Sequence, residues 1–215
     1  RYKDEVYDWM LQAKTGLDNT IGKDRELFRV GSFEFGMGPN IEMVMGYQTV
    51  GGYTPFFLHR YYEYINFYTE GHLPEAWVYF FYGRHARTRL MDLPNLKYEI
   101  LYDQGSYTLR NTCLPRAFLV PGHDVLERSE ILHRLIQPDF DPKKTVLFEK
   151  EDEPLDLRPE APPEAGPPGL ARILSYRPDR LAIATDTPSF RYLFLSEMFY
   201  PGWKAFIDGQ PTRIL

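Results

Sequence analysis

Few residues in this 215-residue chain stand where chemistry would need them. The five histidines are His59, His72, His85, His123 and His133. No two have the spacing that presents a pair of ligands from one helix turn, and no HExxH is present. The one cysteine, Cys113, has no identifiable base beside it and reads as a small apolar filler. There is no G-x-S-x-G, no P-loop and no dinucleotide fingerprint. "PDFDP" (138–142) contains the Asp-x-Asp pattern that holds a divalent metal and a nucleotide sugar in some glycosyltransferases, here through Asp139 and Asp141. Aspartates between prolines are also ordinary turn chemistry. Carboxylates are so numerous that a pair can always be assembled, so their presence decides nothing. No catalytic residue, metal ligand or cofactor is expected from these patterns.

Aromatic side chains are the remaining candidates. The chain holds 16 Tyr, 15 Phe and 3 Trp, and 16% of its residues are aromatic. Such rings stack on sugars with an apolar face and a polar tip, and they fill cores equally well. Tyr47, Tyr53 and Trp203 lie beside glycines in loops, where a ring is most available to a ligand. With His59 and Arg60 they form the candidate ligand-binding set. "RHARTR" (84–89) offers Arg84, Arg87 and Arg89 either to anionic lipid headgroups or to solvent as a helix face.

Composition bounds the classes. Hydrophobic content of 43% supports a sizeable core. The formal net charge is −5, and the stretch 151–169, with six acids against Arg158, carries all of it. The remainder is neutral with no basic surplus, which sets nucleic acid aside. A single cysteine forbids an intrachain disulfide and argues against a disulfide-stapled secreted module. No run of about 18 apolar residues is present. The chain opens on Arg1 and stops within a hairpin signal, so it reads as an excised piece of a longer protein.

The elements that must position these residues follow from periodicity. Val6, Trp9, Met10 and Ala13 recur at helical spacing, with Gly16 as a stop. "LFRVGSFEF" (27–35) alternates as a strand, and "IEMVMG" (41–46) makes a short helical turn. Thr54 and Pro55 open a helix whose two apolar stripes, Phe57/Tyr61/Tyr64/Tyr68 and Leu58/Tyr62/Ile65, predict burial. "EAWVYFFYG" (75–83) fits helix or strand; residues 84–93 read as a helix ending before Pro94. "LKYEILYD" and "SYTLRNT" form a strand pair turning at Asp103-Gln104-Gly105. "RAFLVPG" and "KTVLFEK" are strands, with "DVLERSEILHRLIQ" (124–137) helical between them. Residues 151–169, with six Pro, form a flexible connection. Beyond it come "ARILSY", "RLAIATD", "RYLFLSEM", "WKAFID" and "PTRIL", the last two joined by Asp208-Gly209. The predicted fold is α+β: a helix-rich section over 1–95, then an antiparallel, jelly-roll-like β-sandwich over 96–215 interrupted by the Pro-rich loop.

An ordered series of motifs resembles the YfhO-like family of bacterial polytopic membrane proteins. It comprises Arg29-Val30, Asn40, "MGYQTVGGYTPFFLHRYYEYI", "RLMDLPNLKYEI", "LRNTCLPRAFLVPG" with Asn111, Pro115 and Arg116, and "FDPKKTVLFE". "ARILSYRPDRLAIATDTPSFRYLFLSEMFYPGWKAFIDGQ" closes it, with Tyr200, Pro201, Gly202, Trp203, Asp208 and Gly209. The resemblance runs from about residue 29 to the end. Pro94 departs from it, standing where the family has an apolar residue at the passage from helix to strand. The resemblance implies the soluble, membrane-proximal extracytoplasmic domain of a glycosyltransferase-like protein that uses polyprenyl-phosphate sugars, with the catalytic acid elsewhere in the parent. The expected role is to bind or position a glycan or cell-wall polymer beside the transmembrane part of the same polypeptide. Two other readings stand beside it: a free-standing β-sandwich carbohydrate-binding module, and a soluble metal-dependent glycosyltransferase using Asp139 and Asp141.

Overall fold

The computed structural model describes residues 2–32, 40–52, 58–70, 89–102, 105–150 and 169–215. The fold is mixed α+β, with helices toward the N-terminus followed by many short strands in small, mostly antiparallel sheets. Contacts divide the chain into two compact units, Arg1–Arg116 and Ala117–Leu215.

The first unit begins with helix α1 (Tyr2–Asn19), whose Trp9, Met10 and Ala13 pack on the core, as their spacing predicts. Strand β1 (Arg29–Gly31) lies parallel to β2 (Leu96–Leu101), and β2 pairs antiparallel with β3 (Ser106–Leu109). On β2 the buried positions are Leu96, Tyr98 and Ile100, alternating with half-buried Lys97 and Glu99. Leu17, Ile21, Val30, Met45, Tyr98 and Ile100 form the central apolar cluster. Burial of such side chains contributes about 1.5–3 kcal/mol each.

Helices α2 (Ile41–Val44) and α3 (His59–Glu70) complete the unit. On α3, Tyr62, Ile65 and Phe67 are buried, in keeping with its predicted burial. The hydroxyls of Tyr61 and Tyr64 donate to the Val50 and Leu90 carbonyls, so both rings are satisfied as they pack. Burial pushes the Tyr61 phenol up to about 12. Thr54 and Pro55, the expected helix start, lie outside the described residues, as do 75–83. Of the helix expected over 84–93, the described part is a 3₁₀ turn, Arg89–Asp92. Pro94 follows it, and β2 begins two residues later.

The second unit contains β4 (Ala117–Val120), β5 (Gly122–Leu126), α4 (Arg128–Leu135) and β6 (Thr145–Glu149). Strands β7 (Leu170–Arg177), β8 (Arg180–Asp186), β9 (Tyr192–Leu195), β10 (Ala205–Ile207) and β11 (Gln210–Thr212) follow. The β4–β9, β7–β8 and β10–β11 pairs are antiparallel. The β5–β6 pair is parallel, joined through α4 as a βαβ unit.

The helix expected over 124–137 is shorter than its periodicity suggests. Asp124, Val125 and Leu126 extend instead along β5, paired with Leu147, Phe148 and Glu149. The reason is a capping box: Glu127 and Glu130 exchange side-chain and backbone bonds and start the helix at Arg128.

Two glycines carry geometry here. Gly169 has φ +81°, and a Cβ there would stand 2.8 Å from Leu119 of β4 and 2.9 Å from the Asp186 carbonyl. At the last hairpin Asp208 (φ 49°) and Gly209 (φ 80°) are both left-handed, as a two-residue primed turn requires.

Candidate functional site

The densest polar arrangement in the described residues grows from the turn after Pro94. Pro94 cannot donate in a helix, so the chain breaks, and Asn95 adopts φ 62° while its amide donates to the Asp92 carbonyl at 3.2 Å. Asn95 is only 3% exposed. Its Nδ2 donates to the Leu114 carbonyl at 2.9 Å, and its Oδ1 accepts from Arg116 Nε at 3.0 Å. Arg116, also 3% exposed, reaches Gln48 Oε1 with Nη2 at 2.8 Å. Arg29 enters from β1: its amide donates to the Asn95 carbonyl at 2.9 Å, and Nη1 donates to the Pro94 carbonyl at 2.8 Å.

A second knot adjoins it. Arg110 donates to Asp92 Oδ1 from Nε at 3.2 Å and from Nη2 at 2.9 Å, and to Glu99 Oε1 from Nη1 at 2.7 Å. Thr112 Oγ1 donates to the same Asp92 oxygen at 2.9 Å. Burial works against the Arg110 charge, but its bonds to Asp92 and Glu99 outweigh that and hold the guanidinium protonated. Cys113 lies beside Asn95, 3.5 Å from its Nδ2. Burial first, with Asp92 nearby, pushes the thiol up to about 11, so at neutral pH it is not a thiolate nucleophile.

Chemically this centre is a joint between segments of the first unit. It ties together segments around residues 29, 48, 92–96 and 110–116, and the bonds described here fix side chains to backbone and to one another. Arg29 and Arg116 stand in the motif series. Asn95 and Gln48 were not singled out by residue type, because a left-handed buried Asn is visible only once Leu114 and Arg116 are placed around it.

The candidate ligand residues have separate partners. Tyr47 is half-buried against Phe28, with ring centroids 6.4 Å apart, and its hydroxyl donates to Asp18 Oδ1 at 2.7 Å. Burial and Asp18 both raise its pKa. His59 is exposed and faces Glu63 Oε1 at 3.2 Å, one turn along α3. Arg60 is exposed on the same helix. Tyr53 lies outside the described residues, as do Arg84 and Arg87 of the basic stretch.

Trp203, in the second unit, is 36% exposed, with Phe199 and Tyr200 more exposed still. Its amide donates to the Tyr200 carbonyl at 3.2 Å, closing the Tyr-Pro-Gly-Trp turn.

Asp139 and Asp141 each have a partner of their own. Asp139 Oδ1 accepts from Arg134 Nη1 at 3.0 Å, and that bond lowers its pKa. Asp141 Oδ1 accepts from the Lys143 amide at 3.0 Å, the turn chemistry its neighbours suggest. Among the described residues no group of three or more His, Cys, Asp or Glu is placed to hold a metal ion. Nor is any described helix long and apolar enough to cross a membrane.

Two sites have no sequence signal. Glu42 on α2 is 6% exposed, with Tyr102 Oη 3.5 Å from its carboxylate, and burial raises its pKa. His123 Nδ1 lies 3.1 Å from Tyr192 Oη, with Phe148 and Phe190 packed around the Tyr192 ring. No protein-family model, no curated protein and no solved structure matches the chain.

Proposed function

We propose that this chain is the extracytoplasmic domain of a polytopic bacterial membrane protein of the lipid-linked-sugar glycosyltransferase type. It is non-catalytic alone and positions a glycan or cell-wall polymer acceptor beside the membrane part. The observation that carries the reading is the fate of the motif residues. Arg29 and Arg116, far apart in sequence, meet through the Asn95 turn in bonds that build a scaffold. The thiol and the Asp-x-Asp carboxylates are likewise engaged in structural roles. In this reading the β4–β9, β7–β8 and β10–β11 pairs belong to an antiparallel, jelly-roll-like sandwich. The test is the gene on both sides of the stretch encoding residues 1–215. Several apolar spans of about 20 residues each are expected; their absence would overturn the reading.

One observation favours a second reading, a carbohydrate-binding module. Trp203 and Tyr200 both reach solvent from one turn, as sugar-stacking rings do. A glycan array probed with the chain and with Trp203→Ala separates the two. Binding by the chain alone, abolished by the substitution at unchanged melting temperature, supports the module. A lowered melting temperature without any glycan binding makes Trp203 a packing residue and removes the module.

A further inference from the structure

Helix α2 carries a carboxyl on its inner face. Glu42 and Met45 are buried, whereas Met43 and Val44 between them are exposed. Residues three apart share a helix face, so Glu42 and Met45 together seat the segment. Tyr102 meets both of them. Its hydroxyl lies 3.5 Å from Glu42 Oε1 and 3.9 Å from Met45 Sδ. Ile41, Met45, Tyr102 and Trp9 of α1 share one apolar cluster.

The segment is bracketed by hinges. Asn40 (φ 69°) and Gly46 (φ 91°) stand on either side of α2, both in the left-handed region. Beyond Gly46 the chain is pinned to β1. The Val30 amide donates to the Gln48 carbonyl at 2.8 Å, and the Val50 amide donates to the Val30 carbonyl at 3.0 Å. A four-residue helix has no stability of its own in water. Residues 41–45 therefore stay helical only while seated, and a movement there stops at Gly46.

Among the described residues no base pairs with Glu42, and the titratable groups of the surrounding elements are engaged elsewhere. On α1, Lys14 donates to Asp18, which also accepts the Tyr47 hydroxyl, while Glu5 and Asp8 are exposed. On β1, Arg29 donates to the Pro94 carbonyl. On β2, Lys97 pairs with Asp24 and Glu26, Glu99 with Arg110, and the Tyr98 hydroxyl donates to Asp24. Against burial, the Glu42 carboxylate has its own backbone amide and the long Tyr102 bond.

We propose that Glu42 makes α2 a proton-operated flap: the neutral carboxyl lets residues 41–45 seat on the cluster of Trp9 and Tyr102, and ionisation unseats them while Gln48 stays on β1. Water solvates a carboxylate better than this seat does. Burial raises the Glu42 pKa, so its folded value lies above the unfolded one. Seating is at full strength below the unfolded carboxyl range and weakens as pH rises toward the folded value.

Hydrogen exchange of the whole chain from about pH 4 to about pH 9, corrected for the intrinsic rate at each pH, tests this. The Val44, Met45 and Tyr47 amides are expected to lose protection about tenfold per pH unit above about pH 4.3, levelling off once the seated carboxyl ionises. At pH 8 they are at least about tenfold less protected than the β2 amides, because the opening is local. Glu42→Gln keeps the flap's protection flat across the range. Tyr102→Phe removes a donor to the carboxylate, so the loss extends to higher pH while protection at pH 4 is unchanged. Flap protection that is flat in the parent, an equal pH dependence in Glu42→Gln, or equal protection of α2 and β2 at pH 8 overturns the proposal.

Discussion

Glu42 is a buried acid at a cost to the fold. Its pKa is raised by burial, which outweighs the bonds it accepts from its own backbone amide and, at 3.5 Å, from Tyr102. A carboxyl with a raised folded-state pKa stabilises the fold below the unfolded pKa and loses that contribution as pH rises through the folded value. Glu42→Gln removes the charge and keeps the shape. It is expected to raise the melting temperature at pH 8 by about 2–4 °C, roughly 1 kcal/mol for a chain of this size. The gain shrinks toward pH 4, and thermal melts across that range check it.

Asp24 has the opposite sign. Burial opposes its charge, but Lys97 at 2.5 Å, the Glu26 amide and the Tyr98 hydroxyl lower its pKa overall. Its contribution is present above the unfolded carboxyl range and is lost as pH falls through the folded value. Asp24→Asn therefore costs stability at pH 7, and chemical denaturation should find the gap to the parent narrowing as pH falls below about 4.

At the scale of elements, the turn at Pro94-Asn95 decides how the first unit closes. Asn95→Ala strands the Arg116 guanidinium without its Nε acceptor and leaves the Leu114 carbonyl without its side-chain donor. The expected loss is about 3 kcal/mol, read from urea unfolding at unchanged m-value. Arg110→Met removes a cation shared by Asp92 and Glu99, leaving two partly buried carboxylates facing one another's field. About 3 kcal/mol or more is expected there. Arg110→Met with Asp92→Asn should recover part of it, because only one charge then stays uncompensated.

Helix and strand types here were largely legible: α1, β2, β3, the β7–β8 pair and the final hairpin all follow from period and turn residues. The start of α4 was not, because Val125 and Leu126 fit a helix stripe until β6 offers them a parallel partner.

For the whole molecule, burial is uneven. Ile21, Ile65, Leu90, Met91, Leu96, Val30 and Val50, all within the first unit, are less than 2% exposed or close to it, whereas Val120 is their counterpart in the second. Along β7 and β8 no residue is buried. Local opening follows local burial. Hydrogen exchange should therefore find the amides of β2 protected at least about tenfold more than those of β7 and β8. Equal protection would show that the hairpin is covered in solution by something these strands do not reveal.

By itself, the sequence determined most of the element types, the last hairpin's turn and the lack of a recognised catalytic motif, because each depends on neighbours within a few residues. Tertiary structure decided which segments meet. The parallel pairing of β1 with β2, the βαβ unit and the meeting of Arg29, Gln48, Asn95 and Arg116 depend on contacts tens of residues apart. It also placed Trp203, open between core and ligand face on sequence alone, at the surface. A tyrosine or an asparagine has the same local propensities whether it ends in a core, a turn or a binding face. Only the chain packed around it sets its solvation and its hydrogen-bond partners.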